Sequence, residues 1–242
     1  IILFLWIYAF ITGLSPSVCR ATLMFSLVAF ANIFNRKSSI YNTIFFSAFV
    51  LLLINPSFLL DVGFQLSYCA VISIVYFQPK LSNLWHPKSK ALKWCWDLTC
   101  VSIVAQIGTA PFAIYYFHQF PNYFLLSNFI VIPAASIIIY LTIALFLTSF
   151  IPYIGAFVAF VLNSVLKIFY WGISSIEHIP NALTTLFISK EETLLLYAIV
   201  IVSMFWYERR NFASVFTTLI LIFSFFSFRL YNHYNDFTSQ ET

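Results

Sequence analysis

Charged residues are scarce in this chain. Asp, Glu, Lys and Arg make up 8% of the 242 residues, and hydrophobic residues make up 62%. Soluble domains average about 25% charged residues. Glycine is rare as well, with five residues in total, so a glycine-rich phosphate-binding loop is not expected. A soluble globular domain has too little interior to bury this much apolar surface, and the composition predicts a polytopic membrane protein.

Motifs for metal binding and for enzyme catalysis are also lacking. The four cysteines and four histidines are scattered, with no Cys-x-x-Cys or His-x-x-x-His pair and no Gly-x-Ser-x-Gly sequence. The cysteines are best interpreted as small buried hydrophobic residues. We therefore expect no metal site, no cofactor and no catalytic residue in this chain.

Long unbroken apolar runs predict an all-α fold of about eight or nine membrane segments. A transmembrane β-barrel would instead show short alternating strands. The predicted segments are 1–11, 16–34, 42–55, 62–77, 92–118, 124–150, 155–178, 191–207 and 213–230. Two of them, 42–55 and 62–77, are shorter than the about 20 residues needed to cross a bilayer and are predicted to be broken or partial helices. Residues 1–230 are interpreted as one transmembrane domain, truncated at its N-terminus, and 231–242 as a loosely ordered polar tail.

The distribution of basic residues predicts the orientation in the membrane. If every segment crosses once, eight of the twelve Lys and Arg residues share one side: Arg36, Lys37, Lys80, Lys88, Lys90, Lys93, Arg209 and Arg210. That side is predicted to be cytoplasmic. The loops 12–15, 56–61, 119–123 and 179–190 then face outward. The lysines of loop 78–93, with Trp85 and Trp94, are interpreted as an interface anchor that contacts anionic lipid. Contact with nucleic acid or a cytoplasmic motor is the alternative.

Polar residues near the predicted outer side form the first candidate site. Asp61, Gln65 and Tyr68 share one helical face by their spacing, and Gly63 permits close backbone approach. Arg20 lies one turn into a helix that is predicted to start at Pro16. We therefore expect an Arg20–Asp61 ion pair. The alternatives are that Arg20 extends to the lipid headgroups and that Asp61 caps a helix.

Two further segments carry polar stripes. In 92–118 the stripe consists of Thr99, Ser102, Gln106 and Thr109, and in 155–178 it consists of Asn163, Lys167, Tyr170 and Ser174. Lys167 lies near mid-membrane and is expected to face a partner or an aqueous cavity. Pro111 is expected to kink its helix, and Pro133 to break the backbone near Asn128. The alternative is that the stripes only hold helices together.

Several of these motifs, in their order and spacing, resemble the competence domain of ComEC, the DNA-uptake channel of naturally transformable bacteria. The resemblance covers about residues 10–135 and rests on the segments 13–24, 55–56, 61–71, 105–111, 116–117 and 127–128, with Pro133. It implies a protein of the bacterial cytoplasmic membrane that passes single-stranded DNA inward. Arg20, Asp61, Gln65, Gln106 and Asn128 match motif positions, as do Gly13, Pro16, Gly63, Pro111 and Pro133. Lys167 and Asn163 come from the stripe alone.

The resemblance also implies the surroundings of this domain. Many family members carry an OB-like domain and a metallo-β-lactamase-like nuclease domain, and neither pattern is found in these residues. The chain itself is therefore expected not to be an enzyme. The implied partners are single-stranded DNA, membrane lipids, and the DNA-receptor and helicase or motor proteins of the competence machinery.

Three functions remain open at this point. The first is a DNA channel, in which Arg20 and Lys167 contact phosphates and tyrosines contact bases. The second is a secondary transporter of a smaller anion. The third is a membrane anchor for a soluble partner, without a pore.

Overall fold

The computed structural model describes residues 2–33, 39–209 and 212–240. Within these ranges the chain forms nine α-helices: α1 (Ile2–Ile11), α2 (Pro16–Ile33), α3 (Ile40–Ile54), α4 (Val62–Ser82), α5 (Lys90–Phe117), α6 (Phe124–Thr148), α7 (Pro152–Glu177), α8 (Lys190–Arg209) and α9 (Phe212–Gln240). A short 3-10 helix, Pro56–Leu60, joins α3 to α4. Arg36, Lys37 and Arg210 lie outside the described residues.

The helix lengths confirm the predicted fold class. Five helices are long and apolar enough to cross a membrane: α2, α4, α5, α6 and the Tyr153–Glu177 part of α7. Each predicted segment corresponds to one helix, because a long apolar run in a membrane must satisfy its backbone hydrogen bonds internally. The chain is an all-α helical membrane protein.

Helix α4 corrects the prediction of a short fourth segment. It has 21 residues and continues through Pro79 to Ser82, so it is long enough to cross. A proline this close to the end of a helix removes only one backbone hydrogen bond. The Lys80 ammonium group lies 3.4 Å from the centroid of the Tyr76 ring, so a cation–π contact joins two residues near the end of α4. Helix α3 remains short, at 15 residues.

A small antiparallel sheet is the one β element in the described residues. Strand β1 (Gln119–Pro121) pairs with β2 (Leu183–Thr185), with Phe120 opposite Thr184. Beside it, the Asn122 side-chain amide donates to the Asn181 carbonyl at 2.6 Å and to the Thr184 hydroxyl at 2.7 Å. The sheet therefore ties the polar segment 179–190 to the turn before α6.

Helices α6 and α9 are more continuous than the sequence suggests. Helix α6 runs through Pro133, so the predicted break there is wrong. Helix α5 also continues through Pro111, and the kink predicted there stays a prediction. The backbone of α9 continues past residue 230 to Gln240, where a loosely ordered tail was expected. A membrane helix tolerates an internal proline when neighbouring groups satisfy the freed carbonyl.

The chain divides into two compact units. Unit 1 comprises 1–75, 105–118 and 186–242, and unit 2 comprises 76–104 and 119–185. The core of unit 1 is a cluster of buried residues from α2, α3 and α4, namely Cys19, Ile44, Leu51, Phe64 and Tyr68. Unit 2 is built around the packed helices α6 and α7. Strand β1 precedes α6 in the chain, and strand β2 follows α7.

Candidate functional site

The seven candidate residues divide between the two units. Unit 1 contains Arg20, Asp61, Gln65 and Gln106, and unit 2 contains Asn128, Asn163 and Lys167. The four residues of unit 1 lie on α2, on α5 and at the start of α4. Their contacts decide which of them hold the fold and which have groups left to bind a solute.

Gly13 forms the turn that leads into the Arg20 helix. Its φ is +77° and that of Leu14 is +53°. The Leu14 N–H donates to the Ala9 carbonyl at 2.9 Å, and the Gly13 N–H donates to the Phe10 carbonyl at 3.1 Å. This is a helix-ending motif in which glycine occupies the left-handed position. Helix α2 starts three residues later at Pro16, as predicted, and this start determines the position of Arg20.

Asp61 caps α4 and does not pair with Arg20. Its Oδ1 accepts a hydrogen bond from the Phe64 N–H at 2.9 Å. A β-carbon at Gly63 would lie 3.0 Å from this oxygen, so the glycine leaves room for the cap. Within the described part of the chain, no ion pair joins Arg20 and Asp61. The predicted pair is wrong because the free N–H groups and positive end of α4 already satisfy the carboxylate.

Arg20 packs against an aromatic ring. Its guanidinium carbon lies 5.7 Å from the centroid of the Tyr68 ring, and Nη1 donates to the Met24 sulfur at 3.7 Å. The Arg20 Nε is buried without an acceptor among the described residues. Tyr68 is fixed in turn, because its buried hydroxyl lies 2.9 Å from the Ser47 hydroxyl of α3. The positive charge of Arg20 is therefore positioned by cation–π contact and has no carboxylate partner in the described chain.

Gln65 links three elements. Its Nε2 donates to the Leu59 carbonyl of the 3-10 helix at 2.8 Å, and its Oε1 accepts from the Tyr116 hydroxyl of α5 at 2.9 Å. The sequence predicted a common face for Gln65 and Tyr68, but Gln65 contacts α5 whereas Tyr68 contacts α3. Both ends of its amide are bonded, so Gln65 has a structural role. The expectation that it also faces a solute path stays a prediction.

Gly108 allows α4, α5 and α8 to meet. A β-carbon there would lie 2.5 Å from the Ser73 Cβ and 2.7 Å from the Cys69 carbonyl oxygen. The Tyr197 hydroxyl of α8 donates to the Gly108 carbonyl at 3.1 Å. Sequence reasoning missed Tyr197, since a single tyrosine in an apolar run gives no signal of what it contacts.

Gln106 differs from its neighbours on α5. The Thr99 and Thr109 hydroxyls donate to carbonyls of their own helix, at 2.8 and 2.9 Å, which agrees with the packing interpretation of this stripe. Gln106 is half-buried, and its amide forms no hydrogen bond to any described residue. Its donor and acceptor are therefore open to a solute or to water.

The candidates of unit 2 lie on α6 and α7. Asn128 is half-buried, whereas Asn163 and Lys167 are exposed. Tyr170, one turn after Lys167, is 75% exposed. In the described ranges none of the first three side chains forms a hydrogen bond or an ion pair. The α7 stripe thus presents an amide, an ammonium and a phenol that are exposed in unit 2.

Helix α8 begins with a capping box that the sequence analysis did not use. The Ser189 N–H donates to the Glu192 carboxylate at 3.0 Å, and the Glu192 N–H donates to the Ser189 hydroxyl at 3.3 Å. The Ser-x-x-Glu spacing is a recognisable signal for this arrangement. These hydrogen bonds explain how the buried Glu192 carboxylate is stabilised at the start of α8.

The described residues contain no group of three or more His, Cys, Asp or Glu side chains placed to hold a metal ion. All four cysteines are free.

Comparisons with known proteins show the family of the chain. Residues 1–211 match the family model described as Competence protein. The chain is also 34% identical, over 133 residues, to ComE operon protein 3 of Bacillus subtilis (strain 168). The alignment covers 55% of this chain and 16% of that much longer protein. No solved structure matches. Because the family model spans most of its length, the chain belongs to the Competence protein family, the family of ComEC.

Proposed function

We propose that this chain is the membrane part of a channel that imports single-stranded DNA across the bacterial cytoplasmic membrane during natural transformation. Family membership over residues 1–211 supports a role in competence. No catalytic step is assigned to these residues. DNA-receptor and motor proteins are its expected partners, because a passive channel needs others to deliver and pull the strand.

The unpaired guanidinium of Arg20 is the observation that most supports this proposal. Its guanidinium has no carboxylate partner in the described chain, and its Nε has no acceptor there. A cation in a membrane helix is energetically costly, so its presence there points to a function. A phosphate group beside the guanidinium would supply the missing negative charge.

Each unit also has open groups that would suit a nucleic acid strand. In unit 1 the Gln106 amide has no hydrogen bond to a described residue. In unit 2, taken by itself, Asn163 and Lys167 likewise have no partner among the described residues. Tyr115 and Tyr116 lie side by side on α5, with ring centroids 5.0 Å apart. Cations and aromatic faces are the groups that single strands require, for phosphates and bases respectively.

The transformation frequency of cells that carry Arg20 variants tests this function. A hydrogen-bonded charge contact is worth about 1.5–3 kcal/mol, so Arg20→Ala should lower uptake roughly tenfold or more. Arg20→Lys keeps the charge and should retain part of the uptake. Membrane levels of each variant, measured by immunoblot, serve as the control. Normal transformation by Arg20→Ala at normal protein levels would contradict the proposal.

A transporter for a smaller anion is the second candidate, because one unpaired guanidinium is sufficient for one small anion. Purified protein in liposomes separates the two functions. Entry of a labelled oligonucleotide supports the channel, whereas entry of a small anion alone supports the transporter. If neither crosses while the protein still captures its partners, the chain is a membrane anchor.

A further inference from the structure

Side-chain hydrogen bonds and a ring contact hold the turn between α4 and α5 together. We call residues 82–97 the α4–α5 tip; all of it belongs to unit 2. Across it, the Trp96 indole N–H donates to the Ser82 carbonyl at 3.2 Å, and the Ser82 hydroxyl donates to Asp97 at 3.1 Å. The Trp85 ring meets the Trp96 ring edge-on, with centroids 5.4 Å apart. These contacts hold the surface of the tip in a defined shape.

The tip carries positive charge at the start of α5, where the helix dipole disfavours it. Lys88, Lys90 and Lys93 are exposed, and their side chains form no hydrogen bond or ion pair with a described residue. Lys90 is the first residue of α5, and Lys93 lies in its first turn. The start of a helix is already electropositive, and basic residues there oppose the helix dipole. These lysines therefore do not stabilise the helix, and an anion bound outside the chain would relieve their repulsion.

The tip also exposes large apolar side chains. Leu84 is 67% exposed, Trp85 48%, Leu92 47% and Trp94 50%. The tip joins two helices that are both long and apolar enough to cross a membrane, so it lies at the membrane surface. Tryptophan favours the headgroup level, and leucine favours the acyl chains beneath it.

From this combination we propose that the α4–α5 tip is a binding site for the headgroups of anionic phospholipids. The lysines contact the phosphates while Leu84 and Leu92 enter the acyl region. A nucleic acid strand would use the lysines and tryptophans but would leave both leucines in water, so the apolar side chains favour lipid. The proposal rests on the tip alone and does not depend on the channel function.

Lipid titration of the purified full chain tests the site. Phosphatidylglycerol or phosphatidylcholine is added in detergent, and bound lipid is counted by native mass spectrometry. The double variant Lys90→Gln/Lys93→Gln should weaken phosphatidylglycerol binding roughly tenfold or more and leave phosphatidylcholine binding unchanged. The matched control, Lys190→Gln/Arg229→Gln, removes two positive charges elsewhere and should bind both lipids as the unaltered chain does.

A second measurement reports where the tryptophans lie. In nanodiscs with brominated lipids, Trp85→Phe/Trp94→Phe should remove most of the fluorescence quenching that depends on phosphatidylglycerol. Equal binding of the two lipids by the unaltered chain would overturn the proposal, and so would equal losses in the lysine variant and its control. If Lys90→Gln/Lys93→Gln loses oligonucleotide binding but keeps phosphatidylglycerol, the tip is a nucleic acid site instead.

Discussion

Polar side chains have opposite surroundings in two regions of the molecule. On α4 in unit 1, Asp61 caps a helix and Gln65 is bonded at both ends of its amide. On α7 in unit 2, Asn163 and Lys167 are exposed and have no partner in the described chain. The difference indicates that a polar residue in a membrane segment does not identify a solute site by itself. What decides is whether the helices around it already satisfy its polar groups.

The comparison also separates residues within unit 1. Asp61, Gln65 and Gly108 hold α4 in place, whereas Arg20 and Gln106 keep unsatisfied groups. Variants of the first set should therefore reduce stability, and variants of the second set should reduce uptake with the protein still folded.

Gly108→Ala should be the most destabilising change. The new methyl group would lie 2.5 Å from the Ser73 side chain and 2.7 Å from a backbone oxygen of α4. Forcing such a group into a packed site costs about 1–3 kcal/mol or more. We expect a lower melting temperature in detergent and less protein in the membrane. The matched control is Gly172→Ala in unit 2, where the nearest atom would be 3.4 Å away, and a similar loss in both variants would contradict this account.

Tyr116→Phe should have the next largest effect, because it leaves the Gln65 carbonyl oxygen without its donor. An unsatisfied, partly buried acceptor costs about 1 kcal/mol. A double-mutant cycle with Gln65→Leu measures the pair directly, by the melting temperatures of the two single variants and the double variant. The double variant should lose less than the sum of the single losses. Additive losses would mean that this hydrogen bond does not stabilise unit 1.

Two substitutions of Asp61 distinguish a role as helix cap from a role that depends on its charge. Asp61→Ala should cost about 1 kcal/mol, the usual value of a helix N-cap, and should shift the melting temperature by a few degrees. Asp61→Asn keeps the capping oxygen and removes the charge, so it should retain stability and transformation. If Asp61→Asn abolishes transformation at normal protein levels, the carboxylate acts through its charge and the cap is not its main role.

Helix positions could be predicted closely from the sequence, whereas contacts between helices could not. Apolar run length alone predicts where membrane helices lie, and α6 and α7 match their predicted segments within three residues at each end. The β1–β2 sheet was missed because three-residue strands show no periodic pattern. The Arg20–Asp61 pair failed for another reason. Charge suggests which residues attract, but packing decides that Tyr68 and not Asp61 lies beside Arg20.

Substitution of Lys167 should have the smallest effect on stability and the clearest effect on function. Its ammonium group has no partner in the described chain, so Lys167→Gln breaks no contact and should leave the melting temperature unchanged within error. Transformation should still fall, because the α7 stripe loses its one cation. Lys167→Arg preserves the charge and should preserve uptake. If Lys167→Gln transforms normally, the exposed stripe of α7 is not part of the DNA path, and solute contact is confined to the unsatisfied groups of unit 1.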